Sequence, residues 1–191
     1  ESIALLGQSG SGKSTLLNLL CGIDVPDTGT IALGNTQLNM LSERARTLFR
    51  RRSIGFVFQF FNLLPTLTVI DNVMLPQRLN GISARRARAE SLGLLTTVGL
   101  ADRAEAYPDR LSGGEQQRVA VVRAIAHRPM LILADEPTGN LDSETGRALL
   151  DDLFALTKER GATLVMATHA DAAAARCDRL VTLRDGVLGG G

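Results

Sequence analysis

Short apolar runs alternate with longer helical patterns along this chain. Runs of four to seven mostly apolar residues without polar alternation are typical of parallel strands that are covered on both faces. Strands that alternate with helices in this way predict an α/β fold with a parallel sheet. The predicted strands are Ile3–Leu6, Thr30–Leu33, Ile54–Phe58, Met130–Ala134, Ala162–Thr168 and Leu180–Leu183.

The helical patterns are unevenly distributed between these strands. From about residue 60 to residue 128 no β pattern interrupts them. We therefore predict one domain over residues 1–191, with a core lobe of about 1–59 and 129–191 and an inserted helical lobe of about 60–128. The predicted helices are Ser42–Arg52, Thr68–Val98 with a break near Asn80-Gly81, Ser112–Arg128 and Ser143–Glu159, besides one that begins near Leu16.

A glycine-rich stretch joins the first apolar run to the first helical pattern. Its residues are Gly7-Gln8-Ser9-Gly10-Ser11-Gly12-Lys13-Ser14-Thr15, which fits the phosphate-binding pattern G-x-x-x-x-G-K-[ST]. Glycines let backbone N–H groups close around an anion, and the following helix adds its free N–H groups. We expect Lys13 to reach the β- and γ-phosphates of a nucleotide and the Ser14 hydroxyl to bind Mg²⁺. An ordinary glycine-rich turn does not require the Gly-Lys-Ser-Thr ending in this context.

Two acidic residues follow the apolar run that ends at Ala134. Parallel sheets place ligand sites at the carboxyl ends of their strands, and the phosphate loop leaves its strand at the same edge. Asp135 is therefore expected to face the Mg²⁺. Glu136, where the strand turns, is expected to face the γ-phosphate and polarise a water as general base. Taken alone, the pair is equally consistent with two solvated acids at a strand end.

The second informative stretch is Leu111-Ser112-Gly113-Gly114-Glu115-Gln116-Gln117-Arg118, named here the signature segment. A helix-capping box explains Ser112 and Glu115. It does not explain two glycines in the first helical turn, each of which costs up to ~1 kcal/mol relative to alanine. Glycines suit a close approach to the backbone, and a helix N-terminus attracts anions. Because the phosphate loop already holds one nucleotide, we expect Ser112, Gly113 and Gly114 to cap the γ-phosphate bound by a second, head-to-tail copy.

Composition narrows the possible functions. The formal net charge is +1, so nothing global indicates a nucleic-acid partner and none is expected. Cys21 and Cys177 have no metal-ligand neighbours and are interpreted as reduced structural thiols of a cytosolic protein. No apolar run approaches the ~18 residues of a membrane span, so work at a membrane would need another chain. The arginine clusters within 44–52 and 85–88 are interpreted as solvated helix faces.

Taken in order, these motifs resemble the nucleotide-binding subunit of ABC transporters, and the resemblance covers essentially the whole chain. It implies a P-loop NTPase (RecA-like) parallel sheet core with an inserted all-helical lobe, and ATP and Mg²⁺ as cofactors. The Leu-Ser-Gly-Gly-Glu-Gln run is highly specific, whereas Gln59 or His169 alone is a weak signal. The resemblance rests on Gly7–Thr15, Gln59, Leu111–Arg118, Leu131–Glu136, Leu141-Asp142 and His169.

The resemblance also implies roles for single residues. Glu136 resembles the catalytic base and His169 the switch histidine that contacts the γ-phosphate. Gln59 resembles the glutamine that senses Mg²⁺ and the attacking water, and Asp135 the aspartate that organises the metal. Residues 139–142 are similar to the loop that communicates across the dimer, in which Asp142 would serve the nucleotide site. The simpler interpretation of Asp142 is an N-cap of the next helix.

Two departures from the family pattern affect what can be expected. The family usually stacks adenine on an aromatic residue upstream of the phosphate loop, and no aromatic residue precedes Gly7. Since Glu1 lies only a few residues before the loop, we expect an N-terminal segment to be missing, and the closing run Gly189–Gly191 suggests trimming as well. The family often has an acidic residue after the switch histidine, where this chain has Ala170.

Residues Ile54–Thr68 and Asp71–Pro76 resemble the bacterial macrolide-export, lipoprotein-release and cell-division ATPases. This implies an ATP-hydrolysing subunit that couples MgATP-driven dimerisation to work by a transmembrane permease, of the export or lipoprotein/lipid extraction type. It would be cytoplasmic and peripheral on the inner face of the plasma membrane. We hypothesise that Phe60–Pro65 and the helical lobe form the groove for the permease's coupling helix.

Two other classes remain as alternatives. A soluble ABC-type ATPase that acts on nucleic acid or ribosomes usually has two such domains or a long inserted coiled coil, and this chain has neither. An unrelated phosphate-loop kinase or GTPase is disfavoured by the signature segment and by the lack of an Asn-Lys-x-Asp guanine-binding motif.

Overall fold

A computed structural model describes residues 1–190, so Gly191 of the terminal glycine run lies outside the described residues. The strands are β1 Ser2–Leu6, β2 Ala32–Leu33, β3 Thr36–Gln37, β4 Ile54–Val57, β5 Leu131–Asp135, β6 Thr163–Thr168, β7 Arg179–Arg184 and β8 Val187–Gly190. The α-helices are α1 Lys13–Leu20, α2 Glu43–Ser53, α3 Val69–Leu79, α4 Ala84–Thr97, α5 Gly113–Ile125, α6 Ser143–Arg160 and α7 Asp171–Ala174. Short 3₁₀ helices lie at Leu38–Met40, Ala101–Arg103 and Pro108–Arg110.

The main sheet has the strand order β4-β5-β6-β1-β7-β8, and all neighbours are parallel except the hairpin β7–β8. The predicted α/β fold with a parallel sheet is therefore confirmed. Its register places Leu6 opposite Thr168 and Asp135 opposite Ala167. The carboxyl ends of β1, β5 and β6 consequently meet at one edge, where the phosphate loop and both predicted acids emerge.

The boundaries differ from the prediction mainly at short strands. The predicted strand Thr30–Leu33 is limited to Ala32–Leu33, which among residues 1–190 pairs only with Thr36-Gln37, in a separate two-stranded sheet. Strand β8 was not predicted, because only Val187 and Leu188 precede its glycines and no alternation is visible. The helical break near Asn80-Gly81 is confirmed, since α3 ends at Leu79 and α4 begins at Ala84.

Side-chain caps explain where the longer helices begin. The side chain of the N-cap residue accepts a backbone N–H of the first turn in five helices, which satisfies a donor that has no intrahelical partner. These N-caps are Ser42, Thr68, Ser83, Ser112 and Asp142. Helix α6 ends at Gly161 in the left-handed conformation (φ 65°) that favours glycine at this position.

Helix α5, which carries the signature segment, lies at the centre of the packing. It contacts α3, α4, α6 and β4, and Val119 to Val122 are completely buried. One apolar cluster thus extends from α3 and α4 through α5 to α6 and the sheet. A second cluster lies between the opposite sheet face and α1 and α2. The division into a core lobe and a helical lobe stays a prediction.

None of the helices within residues 1–190 combines the length and apolar character needed to cross a membrane.

Candidate functional site

The phosphate loop takes a conformation that its sequence explains. Gly12, directly before α1, has φ 100°, and Gly10 has φ 80°, in the region that side-chain-bearing residues rarely adopt. Lys13 is only 8% exposed, and its Nζ donates to the carbonyl oxygens of Gly7 (2.6 Å) and Gln8 (3.0 Å). The ammonium group is therefore held in the middle of the loop, where an anion would add the compensating charge that a buried lysine needs.

Ser14 and Asp135 form the oxygen pair expected to hold the metal ion. Ser14 lies in the first turn of α1, Asp135 ends β5, and the Ser14 hydroxyl donates to Asp135 Oδ2 at 2.9 Å. Hydroxyl and carboxylate oxygens are ligands that Mg²⁺ prefers, usually together with phosphate oxygens and water. The residues present therefore fit Mg²⁺.

The backbone of Glu136 does not continue the extended conformation of β5, and this brings Glu136 to the same cleft as Asp135. Successive side chains of a strand point to opposite faces, but Glu136 has φ 46°, and its side chain lines the same cleft as that of Asp135. His169, directly after β6, has its Nδ1 2.9 Å from Glu136 Oε1. The Glu136 side chain is 15% exposed and the His169 side chain 71% exposed. The carboxylate is thus sheltered while the imidazole remains open to solvent.

These residues surround one cleft of about 710 Å³, named here the nucleotide cleft. Its lining residues are Gln8, Ser9, Gly10, Gly12, Lys13, Ser14, Thr15, Gln59, Asp135, Glu136 and His169. Gly7 and Ser11 line an adjoining cavity of about 720 Å³ that also includes His169. Ser112, Gly113, Gly114 and Asp142 line neither cavity, so the structure divides the predicted residues between two places on the chain.

The signature segment begins α5 with the predicted capping box. The Ser112 N–H and hydroxyl donate to Glu115 Oε2 at 2.7 and 2.8 Å, and the Glu115 N–H donates to Ser112 Oγ. Hydrogen bonds from Ser112 lower the pKa of the Glu115 carboxyl. Ser112 and Gly113 are exposed, so this helix N-terminus is accessible from outside the chain.

The two glycines of the signature segment differ in their surroundings. Gly114 is buried, and a methyl group placed on it would lie 2.4 Å from Thr145 Cγ2 at the start of α6. A methyl group on Gly113 would be 3.5 Å from its nearest neighbour, Phe61 Cζ, which is an ordinary contact. Packing within the chain therefore explains Gly114, a reason that the sequence alone did not reveal.

Asp142 caps α6, as its simpler interpretation proposed. Its Oδ1 accepts the N–H groups of Glu144 and Thr145, both at 3.0 Å. Hydrogen bonding to Thr145 is the main cause that lowers the pKa of the Asp142 carboxyl. Just before it, Asn140 Nδ2 donates to the backbone oxygen of Gln59 at 3.0 Å. Residues 139–142 are thereby attached to the loop that carries Gln59.

Gln117 is a functional candidate that sequence reasoning missed. It is completely buried in α5, and its Nε2 donates to the carbonyl oxygens of Phe58 (2.9 Å) and Pro137 (2.8 Å). A signal was present, because Gln117 lies three residues after Gly114 and four before Val121, on the buried face of the helix. A polar residue in such a position usually has a specific partner.

The parallel sheet, the glycine loop before α1 and the acids at the end of β5 define a phosphate-loop nucleoside triphosphatase. A sequence profile described as ABC transporter matches residues 1–139, which is more than half of the chain. The chain therefore belongs to the ABC transporter family.

Individual relatives and structures agree with this assignment. The chain is 58% identical over 188 residues to an uncharacterized ABC transporter ATP-binding protein of Mycobacterium tuberculosis (strain CDC 1551 / Oshkosh), covering 98% of this chain and 76% of that protein. It is 49% identical over 188 residues to the lipoprotein-releasing system ATP-binding protein LolD of Gluconobacter oxydans (strain 621H), covering 98% and 81%.

A solved structure extends the similarity to the fold. The dimeric post-hydrolysis structure of the ATP-binding cassette MJ0796, bound to ADP and Pi, matches with a TM-score of 0.88 and 41% identity, covering 100% of this chain and 85% of that one. The predicted family and the predicted fold class are both confirmed.

Proposed function

We propose that this chain is the ATP-binding and ATP-hydrolysing subunit of an ABC transporter, and that MgATP joins two copies face to face. One observation carries the proposal. The residues expected to bind and cleave the triphosphate line or adjoin the nucleotide cleft, while Ser112 and Gly113 are exposed outside it. A second copy would bring its helix N-terminus to the open side of the cleft, consistent with the dimeric cassette MJ0796.

Each residue of the cleft has a defined task in this proposal. Lys13 and the loop N–H groups bind the β- and γ-phosphates. Ser14 and Asp135 would hold Mg²⁺, which would supply positive charge to neutralise the phosphates. Glu136 accepts a proton from the attacking water. His169, 2.9 Å away, orients the carboxylate of Glu136. Gln59 lies on the same cleft and positions the water.

Hydrolysis should depend strictly on the metal ion. Chelation of Mg²⁺ by EDTA is expected to reduce ATP hydrolysis by the purified protein to background, because Lys13 is the one lysine or arginine among the described residues that line the cleft. Ser14 and Asp135 add no positive charge, so without the metal ion the charge of the triphosphate would stay largely uncompensated. Phosphate release measured with and without EDTA checks this, and added Mg²⁺ should restore the rate. Unchanged hydrolysis in EDTA would contradict the assignment of Ser14 and Asp135 as Mg²⁺ ligands.

Two further experiments test the alternative classes. Competition by GTP tests an unrelated phosphate-loop GTPase, and salt-sensitive co-purification with RNA or DNA tests a soluble ATPase that acts on nucleic acid.

We further propose that a permease docks in an apolar groove away from the cleft, which holds the protein on the inner face of the membrane. The groove has a volume of about 440 Å³ and lies between α2, β4, α3 and the end of α5. Of Phe60–Pro65, Asn62 and Leu64 line it, whereas Phe60 is exposed at 68% and Phe61 lies near Gly113. Its other lining residues include Phe56, Phe58, Leu75, Pro76 and Leu79, with Arg50, Arg51 and Arg123 among them.

A charge in this groove should separate the subunit from its permease. Leu79 is 52% exposed and lines the groove, so Leu79→Glu would place a carboxylate against the docked helix. We expect co-purification with the permease to fall at least about tenfold while ATPase activity of the isolated subunit persists. The matched control is Leu92→Glu, since Leu92 is 42% exposed on α4 and does not line this groove. If both variants co-purify equally with the permease, the proposal that the permease docks in this groove is refuted.

A further inference from the structure

Gln117 connects the two loops that carry the proposed hydrolytic residues. Its side-chain nitrogen donates one hydrogen bond to Phe58 O and one to Pro137 O. Phe58 immediately precedes Gln59, and Pro137 immediately follows Glu136. A primary amide nitrogen has only two N–H bonds. Both are therefore used, and each one fixes the backbone next to a different residue of the nucleotide cleft.

The Gln59 loop, defined as residues 58–62, is held at further points by the same helix. Arg123 of α5 donates to the carbonyl oxygens of Phe61 (2.9 Å) and Asn62 (2.5 Å). On the other side, Asn140 donates to Gln59 O. The loop therefore has little freedom to move independently of α5. On the Glu136 side, Gln117 supplies the only side-chain hydrogen bond to Pro137 O within residues 1–190.

We infer that Gln117 is a positioning residue for ATP hydrolysis that sets the separation of Gln59 and Glu136. The inference rests on the proposed function of the cleft. Gln59 and Glu136 are proposed to act on the same water, so their relative position controls the chemical step, and a misplacement of 1 Å can cost about 100-fold in rate. Phosphate binding uses Lys13 and the loop N–H groups, which Gln117 does not contact.

The position of Gln117 also links the chemical step to the proposed dimer face. Ser112 caps the same helix five residues earlier, about 7.5 Å along its axis at 1.5 Å per residue. A displacement of α5 when a second copy binds at Ser112 would be transmitted through Gln117 to both loops at once. Hydrolysis would then respond to dimer closure without a change in the phosphate loop.

Gln117→Met tests the inference, because methionine has nearly the same shape and no N–H donor. We expect kcat to fall about 10- to 100-fold while KM for ATP and equilibrium binding of ATP change less than about threefold. The matched control is Gln77→Met, because Gln77 is also a buried helical glutamine, its amide donates to Ser91 Oγ, and it lines neither the nucleotide cleft nor the adjoining cavity. This control should keep the parental kcat. If Gln117→Met loses cooperative thermal unfolding, Gln117→Asn takes its place, since it keeps both donors but is too short to reach both carbonyls.

A double variant distinguishes positioning from general damage. If Gln117 acts through Glu136, Gln117→Met should add less than about twofold to the loss already caused by Glu136→Gln in single-turnover measurements. An unchanged kcat, a change confined to KM, or a full additional loss in the double variant would each overturn the inference. An inactive parental protein would instead reject the proposed function, so the two failures can be distinguished.

Discussion

Replacing Glu136 by glutamine is expected to slow ATP hydrolysis about 100- to 10,000-fold, the range that a positioned general base contributes. The amide is nearly the same size as the carboxylate but accepts no proton from water. ATP binding should persist, because Lys13 and the Ser14–Asp135 pair are untouched. The proposed dimer should therefore accumulate with ATP. Steady-state phosphate release measures the rate, and size-exclusion chromatography with and without MgATP measures the dimer.

A neutralised acid elsewhere provides the control for this variant. Glu159→Gln changes the same functional group at the exposed end of α6, outside the nucleotide cleft. It should hydrolyse ATP at the parental rate and form no stable ATP-bound dimer. If Glu136→Gln hydrolyses ATP at the parental rate, Glu136 is not the general base. Loss of ATP binding would show instead that the substitution damaged the phosphate site.

An arginine at Ser112 is expected to weaken ATP-dependent dimerisation at least about 100-fold, a change of about 2.7 kcal/mol in association. Ser112 is exposed at the N-terminus of α5, where the proposal places the γ-phosphate of the partner copy. A long side chain there occupies the space needed for close approach of the backbone. Since Ser112 lines neither cavity beside the phosphate loop, binding of ATP by the monomer should be unchanged. Analytical ultracentrifugation in the Glu136→Gln background measures both quantities.

Loss of the helix cap must be separated from loss of the interface in this experiment. Ser83 is also an exposed N-cap serine, whose side chain accepts a backbone N–H at the start of α4. Ser83→Arg therefore removes a cap of the same kind, worth about 1 kcal/mol, without touching the signature segment. It should melt at a similar temperature to Ser112→Arg and still dimerise with ATP. If Ser112→Arg dimerises with the parental affinity, the proposed nucleotide site shared between two copies is contradicted.

Much of the nucleotide cleft was predictable because its residues follow strands directly. The loop at Gly7–Thr15 and the acids Asp135 and Glu136 each terminate a strand whose apolar run is visible in the sequence. Parallel topology then requires these ends to meet. The contact between Glu136 and His169 was not predictable in the same way. It depends on the register of β5 with β6 and on the positive φ of Glu136, both of which tertiary packing determines.

Residues of the signature segment that look equivalent in the sequence have different surroundings in the structure. Its two glycines are identical in sequence, yet Gly114 packs against Thr145 whereas Gly113 is open. Gln117 belongs to the same motif, but its partners Phe58 and Pro137 lie 59 and 20 residues away along the chain. Local spacing indicates neither partner, because both contacts form only when α5 packs across the sheet edge.

The sheet order has a consequence for how the protein is made. Strand β1 precedes the other described strands along the chain, but it pairs with β6 and β7, and Leu6 lies opposite Thr168. At roughly 5–20 residues per second, about 160 further residues take the ribosome roughly 8 to 30 seconds. During this interval the phosphate loop lacks both neighbouring strands. A nascent chain therefore cannot assemble the nucleotide cleft, and competence to bind ATP arises only after β6 and β7 have been synthesised.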